Sequence, residues 1–176
     1  MQPSQIATVE RAETKCVHDL TTAEMLALAT ARLWVAATVD SGDAAPDRRG
    51  GDWRGGLRAA RLGAAAAAAL EGLFGSLAGG ALRAIAFHCP TCPRLSADER
   101  TYLRVLAFAQ HGYGNAAYGL LQAWLSPAAL RHALGYAGVF AASLVASGLL
   151  LPLRGDAAAR FPRGFALLDN GLSLTH

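Results

Sequence analysis

The 176-residue chain is 53% hydrophobic and only 16% charged, with a formal net charge of +3. An average domain is about 25% charged, so this is an unusually apolar chain, although alanine inflates the figure. The length predicts one domain with room for a core that needs no covalent staples. The small basic excess is not a nucleic-acid footprint by itself. Three cysteines do not make a secreted disulfide framework. With no basic–apolar–cleavage pattern at the start, the expected location is cytoplasmic.

Residues 1–20 are polar and mixed, and read as an amino-terminal arm or short strand. Thr21-Thr22-Ala23-Glu24 is a capping box, with Leu20 and Met25 placed for a hydrophobic staple. The helix it starts should run over 22–39, with Leu26, Ala29, Leu33 and Ala36 as its apolar face and Trp34 packing. Gly, Pro and alternating charges predict a mobile loop over 40–56. A second helix is expected over 57–77. Six alanines, Ala64 to Ala69, favour it strongly, and Leu62, Ala66, Ala69, Leu70, Leu73, Phe74 and Leu77 mark its buried side. Arg54, Arg58 and Arg61 make a basic stripe that reads as a solvated face. Gly79-Gly80 should end this helix, and 81–87 reads as a short helix or an extended run, with the helix favoured.

The chemistry gathers in His88-Cys89-Pro90-Thr91-Cys92-Pro93-Arg94-Leu95-Ser96-Ala97-Asp98-Glu99. Cys89 and Cys92 form a Cys-x-x-Cys pair, which suits half of a zinc site, a thiol–disulfide couple or a plain reduced pair in a proline-shaped turn. Three cysteines exclude a self-contained four-thiolate iron–sulfur cluster. For zinc, the missing ligands would be Cys16 and His18. Residues two apart in an extended segment point the same way, so Cys16, His18, Cys89 and Cys92 would complete a tetrahedron. That site would join the arm to the central loop.

Cys89-Pro90-Thr91-Cys92 also resembles the active-site tetrapeptide of the glutaredoxin branch of the thioredoxin family, with the apolar Ala84-Ile85-Ala86-Phe87 where that family has a strand. The resemblance implies Cys89 as nucleophile and Cys92 as resolving thiol. It covers about a dozen residues. Pro93 would fall inside the first turns of that family's helix, where proline removes a donor and clashes, and the family's later strands have no counterpart here. Ser96-Ala97-Asp98-Glu99 reads as a second capping box, its carboxylates serving the helix dipole and not acid–base chemistry.

A third helix is expected over 97–111, closed by Gly112 in the left-handed conformation. Asn115 should cap a shorter helix over 116–125. Ser126-Pro127 should start the last one, reaching 151. Residues 133–153 carry no charge, enough at about 1.5 Å per residue to span a bilayer of roughly 30 Å. The spacing of Gly138 with Ala142 and Ser143 with Ser147 suits close helix contact. A buried helix of a soluble bundle fits the same pattern. Residues 154–176 read as a tail in which Phe161, Phe165, Leu167 and Leu168 could dock.

Together these features predict an all-α, single-domain bundle of about five helices over 21–153, with the Cys-x-x-Cys loop between its halves. The expected function is a non-enzymatic interaction or regulatory domain, with a protein partner or a second copy of itself. A structural zinc or redox-responsive thiols would be its added feature. The alternatives are an inner-membrane association through 133–153 and a thiol oxidoreductase. No nucleophile elbow, phosphate loop or His-Glu-x-x-His zinc helix is present, so no catalytic set is assigned.

Overall fold

The computed structural model describes residues 16–39 and 52–154. Most of the 40–56 loop, the arm before Cys16 and the tail after Arg154 lie outside the described residues. The described part is all-α: six α-helices, one 3-10 turn at Val17–Asp19 and no strand. The helices are α1 Thr22–Val39, α2 Trp53–Ala59, α3 Ala64–Gly80, α4 Ala97–Gln110, α5 Gly114–Gln122 and α6 Pro127–Ala146.

α1 starts where its capping box predicts and covers the expected 22–39. The Glu24 backbone N–H donates to Thr21 Oγ1, and Thr21 N–H donates back to Glu24 Oε2 at 2.8 Å. Its buried face is shifted from the expected one. Ala23, Ala27, Leu28 and Ala31 are buried, Ala29 is exposed, and Leu26 and Leu33 are half-buried. Glu24 and Arg32 are buried beside them. Spaced at four around Leu28, they share its stripe, and apolar periodicity cannot register inward-facing charges. The staple does not form as expected: Leu20 is buried but Met25 is exposed.

The helix expected over 57–77 is two helices. The break between α2 and α3 includes Arg61, whose φ of 58° is left-handed. Leu62 N–H donates to Leu57 O at 2.9 Å, closing α2. The alanine run then restarts the helix as α3. Every apolar position expected on its buried side is buried.

α3 packs most extensively on α6, and the contact is built from small residues. Ala66 and Ala69 on α3, and Ala133, Ala137 and Ala141 on α6, are all buried. A methyl added at Gly80 would overlap that of Ala129, and one at Gly72 would lie 2.6 Å from the Tyr136 ring. Backbones therefore approach closely along this seam. α4 and α5 close the other side of α6.

α4 begins with a complete capping box. Gly112, at φ 76°, ends it as expected. Tyr113, not Asn115, takes the N-cap position of α5, two residues earlier than the sequence suggests. Pro127 occupies the first turn of α6, although the Ser126 side chain makes no cap hydrogen bond.

α6 stops at Ala146, short of residue 151. Gly148 sits at φ 73°, and Leu149 N–H donates to Leu144 O, a left-handed helix stop. The chain then returns along α4. The Gln110 side chain donates to Leu149 O at 2.9 Å and accepts from Leu151 N–H at 2.8 Å. Residues 133–153 are thus a helix and a return segment, not one rod. Arg154 closes the described chain by donating to both oxygens of Glu24, at 2.6 and 2.7 Å.

Candidate functional site

Residues 81–96 join α3 to α4 without helix, including the 81–87 stretch for which a short helix was expected. Two carboxylates at the start of α4 shape this segment. Asp98 accepts from both Arg83 guanidinium nitrogens, at 2.6 and 3.0 Å, and from Ala86 N–H at 2.8 Å. Its carboxyl is held below the usual range, chiefly by Arg83, whose hydrogen bonds outweigh the effect of burial. These bonds tie 83–86 to the start of α4 through the Arg83 side chain and the Ala86 amide.

Glu99 does the same for the second half. Its Oε1 accepts from Arg32 Nε at 2.7 Å and from His88 N–H at 2.9 Å. Its Oε2 accepts from Arg32 Nη2 at 3.0 Å and from Ser96 N–H at 2.8 Å. Burial alone would raise the carboxyl's pKa, but these donors, Arg32 first, hold it below the ordinary value of 4.5. The Arg32 and Glu99 side chains are only 3% and 0% exposed, so this pair is fully inside the protein.

Arg32 also reaches the loop itself. Its Nη1 donates to Cys92 O at 2.6 Å and its Nη2 to Arg94 O at 2.7 Å. Ser96 Oγ donates to Ala86 O at 2.6 Å. The His88 ring lies 3.0 Å from Arg94 O. The loop that carries the cysteines is therefore fixed from beneath at both ends by one buried ion pair.

Between these anchors, Cys92 N–H donates to Cys89 O at 3.1 Å, closing a turn over Pro90 and Thr91. Cys89 is exposed and Cys92 half-buried. The thiol of Cys89 is 3.7 Å from Thr91 Oγ1. α4 begins only at Ala97, so neither cysteine lies in a helical first turn. The glutaredoxin-like arrangement is thus absent from the described residues: no strand leads into Cys89, and no helix starts there.

The arm meets the loop beside the turn. Cys16 pairs with Arg94 as an isolated antiparallel bridge, and Val17 N–H donates to Pro93 O at 2.8 Å. The Cys16 thiol donates to the same carbonyl at 3.2 Å. Extended geometry ends at once, because Val17–Asp19 winds into a 3-10 turn. His18 lies within that turn and is exposed. Among the described residues, no three or more His, Cys, Asp or Glu side chains gather to hold a metal ion. Of the set Cys16, His18, Cys89 and Cys92, the structure ties Cys16 to Pro93 and Arg94 beside the cysteine turn.

No known protein family, curated protein or solved structure matches this chain.

An open surface hollow of about 570 Å³ lies alongside, lined by Cys16, Pro93, Arg94, Leu95 and Arg100. Cys89 and Cys92 do not line it. Of the pair, Cys89 is exposed and Cys92 half-buried. Two arginines of the basic stripe near α2 are paired locally, Arg54 with Glu71 and Arg58 with Asp52.

Sequence reasoning found the turn and the capping box but missed what holds them. Asp98 and Glu99 do more than serve a dipole, since both bind loop backbone. Arg32 was overlooked, yet it carried a signal. A single arginine between Ala31 and Leu33, in an otherwise apolar stretch of helix, needs a buried acidic partner if it faces inward.

Proposed function

We propose that the chain is a non-enzymatic interaction domain. Its helices form a platform that presents residues 88–96 in one fixed shape to a protein surface, with a second copy of the chain as the first partner to test. The observation that supports this reading is the Arg32–Glu99 pair, which spends a buried guanidinium on two loop carbonyls and a buried carboxylate on two loop amides. A buried ion pair contributes little net stability compared with apolar packing. Its evident effect here is to set the shape of an exposed loop.

Light scattering over a range of protein concentrations tests the proposal, comparing the wild type with a Pro90→Gly/Thr91→Gly variant. Reversible association that weakens in the variant supports it. A monomer at every concentration in both proteins removes the self-association form of the reading.

A second reading, attachment to a membrane through α6, is favoured by the exposed side chains Tyr136, Val139 and Val145 on a helix long and apolar enough to cross a bilayer. Against it, α6 buries Leu130, Phe140 and Leu144 on its neighbours. Cell fractionation with a carbonate wash separates the two readings; protein that leaves the membrane fraction entirely ends this one.

A further inference from the structure

We propose that Cys89 and Cys92 are a dithiol–disulfide couple that exchanges with small disulfides of the glutathione class, and that Cys16 stands outside it. The inference rests on the preceding reading only in taking the 88–96 loop as the presented surface. Three observations carry it.

The first is distance along the chain and across the turn. A hydrogen-bonded turn brings its end Cα atoms within about 7 Å, and a disulfide needs Cα atoms about 4.4–6.8 Å apart. The Cys92 N–H to Cys89 O bond makes that turn. Oxidation would then require side-chain rotation, with the loop backbone left on its Arg32 and Glu99 anchors.

The second is access. Cys89 is exposed, so a disulfide in solution reaches it first, and half-buried Cys92 follows from the same turn. The third is the state of Cys16. Its thiol proton is engaged by Pro93 O at 3.2 Å, a bond that a thiolate could not make. Held on the arm against Pro93, Cys16 lies outside the turn that joins Cys89 to Cys92.

The exchange balances in two steps. The Cys89 thiolate attacks one sulfur of the small disulfide, forming a mixed disulfide and releasing one small thiol. The Cys92 thiolate then attacks the Cys89 sulfur, forming the Cys89–Cys92 bond and releasing the second small thiol. Two protein thiols are oxidised, and one small disulfide is reduced to two thiols.

The test is equilibration of the full chain in a series of reduced and oxidised glutathione mixtures, followed by acid quench, alkylation and peptide mapping. The expected result is one two-electron transition that yields a Cys89–Cys92 link, with Cys16 alkylated in both end states. Cys89→Ser and Cys92→Ser should each lose the link and stop at a single glutathione adduct, while Cys16→Ser titrates like wild type. Helical circular dichroism should match between the two end states. A link through Cys16, accumulation of adducts without a link in wild type, or thiols that stay reduced across the series would overturn the couple. A normal titration in a chain that never self-associates would leave the couple standing and remove the self-association reading.

Discussion

The α3–α6 seam and the 81–96 segment are held by opposite means. In the seam, small side chains let two backbones approach, and van der Waals contact does the work: Gly80 against Ala129 and a file of buried alanines are closely packed. In the loop, side chains hold backbone by charge. Arg83 and Asp98, then Arg32 and Glu99, bind carbonyls and amides that no helix or sheet satisfies. Among the described residues, every buried side-chain nitrogen and oxygen has a partner. The comparison teaches that the seam should fail gradually as atoms are added, whereas the loop should fail abruptly when one charge is removed.

The strongest contrast comes from Glu99→Ala. It strands the Arg32 guanidinium in a site that is 3% exposed and frees the amides of His88 and Ser96. Removing one partner of a buried pair costs about 3–5 kcal/mol, measurable as a shift in the urea midpoint. The double variant Arg32→Met/Glu99→Leu should recover much of that loss, because apolar replacement of the whole pair is often near neutral. Its 88–96 loop should nevertheless exchange amide hydrogens faster than wild type. A double variant with wild-type loop protection would refute the view that the pair shapes the loop.

Gly80→Ala probes the seam. The added methyl would overlap Ala129, whose own Cβ has no rotamer to move into. Overpacking of this kind costs about 1–3 kcal/mol. Gly72→Ala meets the Tyr136 ring instead, and Tyr136 is 39% exposed, so the ring can swing outward. The gain in helix propensity from replacing glycine, up to about 1 kcal/mol, then offsets much of the clash. Thermal melts should rank Gly80→Ala below Gly72→Ala; the reverse order would place the close approach elsewhere.

The same contrast explains which parts of the fold could be read from the sequence. The α3 face was visible because apolar residues recur at helical spacing and all of them turn inward. α1 was placed by its capping box, yet its buried face was misjudged because Glu24 and Arg32 lie on it. The 81–87 stretch looked helical from composition alone; the Arg83–Asp98 bonds that extend it join residues well separated in sequence. At the thiol corner, the turn itself was visible as Cys-Pro-Thr-Cys. The extended segment expected to align Cys16 with His18 is instead a 3-10 turn at Val17–Asp19, a local conformation that a spacing of two residues does not reveal.

Acid should distinguish the two regions as well. Glu24, Asp98 and Glu99 all have folded-state pKa values below their ordinary ones. At Asp98 the Arg83 hydrogen bonds dominate. At Glu24 and Glu99 burial is the largest single influence and raises the pKa, and it is outweighed by Arg154 with Thr21, and by Arg32 with the Ser96 and His88 amides, acting together. A depressed carboxyl contributes stability that is fully present above its unfolded pKa and is lost as pH falls through the folded one. Stability should therefore hold from neutral pH down to the ordinary carboxyl values of 4.5 for Glu and 3.8 for Asp, then decline below them. The decline should be shallower in Arg32→Met/Glu99→Leu, which lacks one of the three groups. An equal acid decline in both proteins would mean that Glu99 contributes nothing to it.

The smallest effect is expected where the same chemistry meets water. Arg54 and Glu71 join α2 to α3 at 2.8 Å, but their side chains are 48% and 56% exposed. Solvent screens such a pair, and its contribution is about 0–1 kcal/mol. Glu71→Gln removes the charge while leaving Arg54 over the Trp53 ring, 4.1 Å from its centroid. Arg54→Ala removes both contacts and should cost more by the cation–π contribution, about 0.5–1 kcal/mol at an exposed site. Added salt should shrink the Glu71→Gln effect and leave the difference between the two variants largely intact. A Glu71→Gln loss approaching that of Glu99→Ala would mean that burial is not what separates these two Arg–Glu pairs.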